Sequence, residues 1–116
     1  MPERRELLRA AFAAEPSQLG DIRHRVAASL VGDGLGDAAA AEVALAVSEA
    51  CANVIAHAYG GRRGGEIRVS LTRGAVDVTV RIDDDAPAVD PNRIRARPLD
   101  ELRPGGLGVH FIRQLM

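Results

Sequence analysis

Glu-Ala-Cys-Ala-Asn-Val-Ile-Ala-His-Ala-Tyr, residues 49–59, ends a long run of alanine, valine, leucine and isoleucine. Glu49, Asn53 and His57 recur every four residues, so at about 100° per residue they lie on one narrow side of a helix, together with Glu42. A helix that is apolar on its other sides should be buried. Its carboxylate and amide must then face a partner or a cavity, because burying them unpaired is costly. The spacing therefore predicts a functional site on this helix.

The composition predicts one domain, residues 1–116, with a core of alanine, valine, leucine and isoleucine. The formal net charge is −1, which gives no argument for nucleic acid or an anionic membrane as a partner. Every basic residue is an arginine or a histidine. The absence of lysine excludes a lysine-based phosphate grip and Schiff-base chemistry.

Cysteine content and hydropathy bear on the compartment. Cys51 is the single cysteine, which excludes an internal disulfide and fits a small buried hydrophobe better than a nucleophile. No apolar run approaches the roughly 20 residues that span a bilayer, and no signal-peptide core follows the start. We expect a soluble cytoplasmic protein with neither a membrane nor nucleic acid as a direct partner.

The part of the chain before residue 49 predicts a strand and two helices. Residues 6–14 fit a strand or a helix; we predict a strand because Pro16 ends the segment, although the propensities favour a helix. Ser17 is placed to be the N-cap of an amphipathic helix over residues 19–30. Asp37 can cap the long helix that carries the first motif.

Two alternating runs, residues 66–72 and 76–82, predict a β-hairpin around the turn at Arg73-Gly74. Strict alternation indicates that one face of the sheet is covered and the other faces water. With the helices on the covered face, the pattern predicts an α/β fold, a two-layer sandwich. The last apolar segment, residues 109–116, follows several glycines and predicts a helix.

Two further motifs follow the first one in order. Asp84-x-Ala86-x-Ala88 comes directly after the hairpin, and Pro-Gly-Gly-Leu-Gly-Val-His-Phe-Ile-Arg-Gln-Leu-Met, residues 104–116, comes last. Together with residues 49–59 they resemble the GHKL superfamily of ATP-binding domains, and within it the bacterial anti-sigma-factor serine/threonine kinases. The three stretches stand where that family has its N-box, its first glycine box (D-x-G-x-G) and its second glycine box.

The resemblance implies a Bergerat-type ATP-binding fold, with a mixed, mostly antiparallel sheet and helices on one face. Family members continue past the second glycine box through a helix into a final strand, and that strand is missing from a chain that stops at Met116. We therefore expect an open sheet edge, which favours strand pairing. Self-association into a homodimer through that edge is a hypothesis.

The resemblance implies ATP and Mg²⁺ as cofactors and gives roles to the N-box residues. Asn53 is implied to bind Mg²⁺, which fits a metal that takes few protein oxygens and keeps water and phosphate ligands. Glu49 is implied to be the general base for attack on the γ-phosphorus. His57 is more simply a packed or capping residue. The arginines at positions 93, 95, 97 and 103 lie in the segment that corresponds to the family's lid.

The glycine boxes are implied to bind the rest of the nucleotide. Asp84 would accept a hydrogen bond from the exocyclic amine of adenine. Alanine replaces both glycines of the first box, which excludes positive φ values and adds methyl groups near the adenine, but we expect binding to persist through Asp84. The second box lets backbone amides approach phosphate. The implied contacts besides Asp84 are Ala86, Ala88, Gly105, Gly106, Leu107 and Gly108.

Three functions remain open from the sequence. The first is a kinase and transcription regulator that phosphorylates an anti-anti-sigma protein and sequesters a sigma factor. The second is a non-catalytic nucleotide-binding module that binds partner proteins without phosphoryl transfer; the alanines of the first box favour it. The third is the ATP-binding half of a sensor histidine kinase, which ranks lowest because no helix pair with a phosphoacceptor histidine precedes the domain.

Overall fold

Four strands and two main helices build the molecule in the computed structural model, which describes residues 4–58, 65–84 and 108–115. The sheet order is β1-β2-β3-β4, and both helices contribute side chains to a core shared with one face of the sheet. This arrangement confirms the predicted two-layer α/β sandwich. The elements are β1 (Arg5–Ala13), a 3₁₀ turn (Pro16–Gln18), α1 (Leu19–Gly32), α2 (Asp37–Asn53), a π-helical turn (Val54–Ala58), β2 (Glu66–Arg73), β3 (Asp77–Asp84) and β4 (Gly108–Leu115).

The first segment, ambiguous in sequence, is a strand. β1 pairs antiparallel with β2, so that Ala10 lies opposite Val69 and Phe12 opposite Ile67. The free energy gained when β1 pairs with β2 and buries side chains outweighs the helix propensity of the alanines and leucines of β1. The register shifts between Glu6 and Leu8, which marks a β-bulge.

The predicted hairpin is confirmed. β2 and β3 pair antiparallel, with Val69 opposite Ile82 and Leu71 opposite Val80. Their inward side chains are at most 2% exposed and belong to one core cluster with those of α1 and α2. Full burial of an aliphatic side chain of this size stabilises the fold by about 1.5–3 kcal/mol, so the hairpin and the helices stabilise each other. The inward residues of the hairpin are Ile67, Val69, Leu71, Val78, Val80 and Ile82.

The prediction of a helix over residues 109–116 is wrong, because Gly108–Leu115 forms β4, parallel to β3. Val109 is buried and lies beside Val78, whereas Ile112 is exposed beside Arg81. The backbone N–H and C=O groups at the edge of β3 form hydrogen bonds with this segment and favour a strand. The sequence of the segment itself does not show that this edge is available. A fourth strand therefore covers the edge of β3, and the sheet of the described strands stays open, as expected, at β1 and β4.

The two predicted N-cap residues differ from the structure by one position each. Ser17 lies in the 3₁₀ turn, and no side chain caps α1, whose N-cap residue is Gln18. Asp37 is the first residue of α2 rather than its cap, a position where its charge favours the helix dipole. α2 ends at Asn53 and continues as the π-helical turn, and residues 59–64 lie outside the described part.

One helical stretch, Asp37–Ala56, has 20 residues and a mean hydropathy of 1.5, which is long and apolar enough to cross a membrane. This corrects the expectation that no stretch approaches that length, because the few polar residues of α2 lower its mean hydropathy only slightly. Within the molecule, 56% of its most apolar window is buried. A core helix of a globular domain has the same composition, so the stretch is weak evidence for a membrane span.

Candidate functional site

The outward face of α2 carries the polar residues of the first motif. Glu49 and Asn53 are both exposed, and four residues of α-helix separate their Cα atoms by about 6 Å along the axis. The expectation of a helix buried on nearly every side is wrong, because Leu45 on the same face is 48% exposed. The opposite face packs in the core through Val43, Val47 and Cys51. The structure thus presents the acid and the amide together, on an accessible surface.

A π-helical turn follows the motif's amide directly. Val54–Ala58 adopts this wider turn, and Val54 and Ile55 anchor it in the core at 1% and 7% exposure. Such turns are often found at functional sites. The sequence placed His57 in line with Asn53 by α-helical spacing, and this spacing does not hold across a π-helical turn. The side chain of His57 is not among those that the structure describes. Sequence periodicity contains no signal for this turn.

The two adjacent aspartates at the end of β3 lie in different environments. Asp84 is the last residue of β3 and is 0% exposed, whereas the carboxylate of Asp83 lies on the outer face in an ion pair with Arg81 Nε at 3.1 Å. A carboxylate is enclosed at such a cost only when specific groups interact with it. Strand alternation therefore favours Asp84 over Asp83 for specific recognition.

The remaining predicted nucleotide contacts are mostly outside the described residues. The structure does not describe Ala86, Ala88, Gly105, Gly106 or Leu107. Gly108 is described as the first residue of β4, and its N–H donates to the carbonyl of Val76 at 3.2 Å. It lies beside Asp77 at the start of β3, about 23 Å of extended strand from Asp84. The structure therefore does not bring Gly108 and Asp84 together.

The loop before α2 is fixed to the sheet by a shared carboxylate. Asp33, which follows α1, accepts hydrogen bonds from both Nη atoms of Arg5 at 2.6 and 3.2 Å and from Arg73 Nη1 at 3.5 Å. The hydrogen bond from Arg5 holds the pKa of the Asp33 carboxyl below its usual value, and the charges of Arg5 and Arg73 act in the same direction. The start of α2 is thereby tied to β1 and β2.

Cys51 is excluded as a nucleophile. Its side chain is 0% exposed, and burial raises the pKa of the thiol to about 12. The thiol is therefore protonated at neutral pH, and thiolate is the nucleophilic form. The prediction that this cysteine is a small buried hydrophobe is confirmed.

Asn53 is the residue of α2 that would hold a magnesium ion. Among the described residues, no group of three histidine, cysteine or acidic side chains could hold a metal ion. Asn53 offers one amide oxygen on the exposed face of α2. Mg²⁺ accepts a single protein ligand when phosphates and water supply the others. A single amide oxygen therefore suits a metal ion that is also bound by the phosphates of a nucleotide.

The two-layer fold and the motif on α2 are typical of nucleotide-binding domains, and comparison with known proteins gives the class of protein. Residues 12–116 match the model of the histidine kinase-like ATPase domain. Because this match covers nearly the whole chain, the chain belongs to the histidine kinase-like ATPase family, as the resemblance predicted.

Several relatives within this class have names that are more specific. The serine-protein kinase RsbW of Bacillus velezensis is 31% identical over 113 residues, which cover 89% of this chain and 69% of the relative. The serine/threonine-protein kinase BtrW of Bordetella bronchiseptica is 32% identical over 76 residues, 62% of this chain and 54% of the relative. The anti-sigma F factor of Clostridium novyi is 33% identical over 63 residues, 54% of this chain and 44% of the relative. The chain spans about half the length of two of these curated relatives, 54% of the Bordetella bronchiseptica protein and 44% of the Clostridium novyi protein.

Proposed function

We propose that this chain is an ATP·Mg-dependent serine/threonine protein kinase of the anti-sigma-factor type. The observation that carries the proposal is the exposed pair Glu49 and Asn53, one turn apart on α2, in a chain of the histidine kinase-like ATPase family. Relatives named serine-protein kinase and anti-sigma F factor support the same activity and role.

ATP would be held at both of its ends. The buried carboxylate of Asp84 would accept a hydrogen bond from the adenine amine once the ligand reaches the end of β3. Ala86 and Ala88 would lie near the base, and Gly105, Gly106, Leu107 and Gly108 would line the phosphates. Because Gly108 lies beside Asp77 in the described arrangement, this binding mode requires Gly108 to lie closer to Asp84 when nucleotide is bound.

Phosphoryl transfer would depend on the two groups of α2. Asn53 would hold Mg²⁺ together with phosphate oxygens, and the ion would supply neutralisation of the phosphate charge. Glu49 accepts the proton of the attacking serine or threonine hydroxyl as its oxygen bonds to the γ-phosphorus. The bond from the γ-phosphorus to the bridging oxygen breaks, and ADP leaves. A positioned base of this kind contributes about 10²–10⁴-fold to the rate.

The proposed sigma-factor partner follows from the name of the anti-sigma F factor relative, and the anti-anti-sigma partner follows from the family resemblance. An anti-anti-sigma protein would supply the phosphorylated hydroxyl, and a sigma factor would be the sequestered partner, so that the kinase regulates transcription in the cytoplasm. A homodimer remains a proposal. Since β4 covers the edge of β3, the free sheet edges among the described strands are those of β1 and β4, and pairing would use one of them.

A transfer assay with γ-labelled ATP, Mg²⁺ and an anti-anti-sigma protein tests the proposal. Glu49→Gln should lower the rate of labelling by about 10²-fold or more with little change in ATP affinity, because the amide cannot accept the proton. Glu42→Gln is the matched control, since Glu42 is also exposed on α2 but lies two turns before Glu49. Equal labelling rates for Glu49→Gln and the wild type would refute the role of Glu49.

The non-catalytic module remains the second candidate because of the distance between Gly108 and Asp84 along β3. If the described arrangement persists with nucleotide bound, the phosphates are not enclosed and transfer fails. Tight ATP binding together with no label on the partner, in the wild type, would establish this alternative.

A further inference from the structure

One large apolar side chain of α2 stays accessible, in the row of residues that carries the proposed base. Leu45 is 48% exposed, whereas Val43 and Val47 on the same helix are 0% exposed. A single exposed leucine is common on protein surfaces and needs no explanation by itself. Among the exposed large hydrophobics of the described residues, however, Leu45 is the one that belongs to α2, and it lies one helical turn before Glu49.

The direction of helical side chains brings Leu45 close to the place where a substrate hydroxyl would meet Glu49. Residues four apart lie on one face of a helix, with Cβ atoms about 5–6 Å apart. Helical side chains lean toward the helix N-terminus, so the surface that Glu49 covers lies over the preceding turn, which contains Leu45. A hydroxyl within about 2.6–3.2 Å of the Glu49 carboxylate therefore lies beside the side chain of Leu45.

The positions assigned to ATP indicate the side from which the protein substrate arrives. Asn53, the proposed magnesium residue, lies one turn after Glu49, so the phosphates would occupy that side of it. In phosphoryl transfer the attacking oxygen lies roughly opposite the leaving oxygen, so the hydroxyl approaches from the side away from ADP. Along α2 this is the preceding turn, with Leu45. Ala41, exposed one further turn back, is small, so a partner's backbone can come close to the helix here.

We propose that Leu45 contacts an apolar side chain that flanks the phosphorylated serine or threonine of the protein substrate. The inference rests on the proposed kinase function and names a substrate feature within it. The segment that carries the hydroxyl occupies this surface, because it must cross the same face of α2 to reach Glu49. Covering the exposed part of Leu45 with an apolar side chain removes apolar surface from water and strengthens substrate binding. Leu45 thereby selects the substrate segment and takes no part in the chemistry.

Steady-state transfer kinetics of Leu45→Ala, with the protein substrate and ATP·Mg varied in turn, test this proposal. We expect KM for the protein substrate to rise about fivefold, because apolar contact is lost, while kcat and KM for ATP stay within about twofold of the wild type. Leu45→Met keeps the apolar volume and should keep the wild-type KM. Val31→Ala is the matched control, since Val31 is 42% exposed near the end of α1, and it should behave as the wild type.

A double-mutant cycle assigns the effect to a direct contact. Mass spectrometry locates the phosphorylated residue of the substrate, and each apolar residue within two positions of it is replaced by serine. At one of these positions the replacement should raise KM about fivefold with the wild-type kinase, but by less than about twofold with Leu45→Ala. Circular dichroism shows that each variant is folded. Leu45→Gln, which keeps a long helix-forming side chain, provides the same test if Leu45→Ala is unfolded.

The failure of this inference differs from the failure of the kinase proposal. Transfer by the wild type with the same KM in Leu45→Ala would overturn the contact and leave the kinase function standing. Independent effects of the two substitutions in the cycle would do the same, as would a fall in kcat alone or a phosphorylated segment with no apolar residue beside its hydroxyl. No transfer by the wild type would overturn both proposals.

Discussion

Asp83 and Asp84 are adjacent in sequence yet face opposite sides of the sheet. Asp83 forms an ion pair with Arg81 on the open face, whereas Asp84 is enclosed at the end of β3. A carboxylate in the first position can be exchanged for an amide at little cost. In the second position the same exchange costs more, since an enclosed carboxylate is held only where specific groups interact with it.

The buried thiol of Cys51 leads to a prediction about reactivity. Burial raises its pKa to about 12, so below that pH the thiol remains protonated as well as enclosed. At pH 8 we expect a disulfide reagent such as dithionitrobenzoate to label the native chain at least about 100-fold more slowly than the chain unfolded in guanidinium chloride. Labelling of the native chain at the rate of the unfolded chain would contradict the described packing of α2.

At the scale of elements, Asp33 connects three of them. Its carboxylate ties the segment after α1 to Arg5 of β1 and Arg73 of β2. Its pKa is lowered in the folded state, so its stabilising effect is present above the unfolded pKa of about 3.9 and is lost as the pH falls through the lower folded value.

Asp33→Asn should therefore lower the melting temperature at pH 7 by a few degrees, with a smaller difference from the wild type at pH 3. Calorimetric or circular-dichroism melts at the two pH values measure this. Glu42→Gln provides the control, an exposed carboxylate on α2, and should shift the melting temperature much less. A difference between Asp33→Asn and the wild type that is the same at pH 3 and pH 7 would show that the ion pair is not the cause.

The elements also show what the sequence could predict. The hairpin follows from alternation alone, because Val69, Leu71 and Val80 reach the core only at a period of two. The edge of β3 decides the conformation of residues 108–115, and that is a tertiary effect with no local signal. The π-helical turn after Asn53 likewise leaves no trace in the periodicity, since its residues have the same apolar character as α2.

At the scale of the whole molecule, the sheet separates two different surfaces. The helical side presents Glu49 and Asn53, and their spacing predicted that they share one face of a helix. The family model matches residues 12–116 of the chain, which include both. The open side presents arginines that become neighbours only through strand register, so no sequence motif marks them. The parallel placement of β4 beside β3, which sets Gly108 far from Asp84, also depends on the complete sheet.

The central claim is that the acid and the amide of α2 act on a magnesium-bound triphosphate. Calorimetric titration of ATP with and without Mg²⁺, in the wild type and in Asn53→Ala, tests it most directly. We predict that Mg²⁺ tightens ATP binding to the wild type by about tenfold or more, and that Asn53→Ala loses most of this gain while binding ATP without Mg²⁺ unchanged. An equal effect of Mg²⁺ on both proteins would contradict the account.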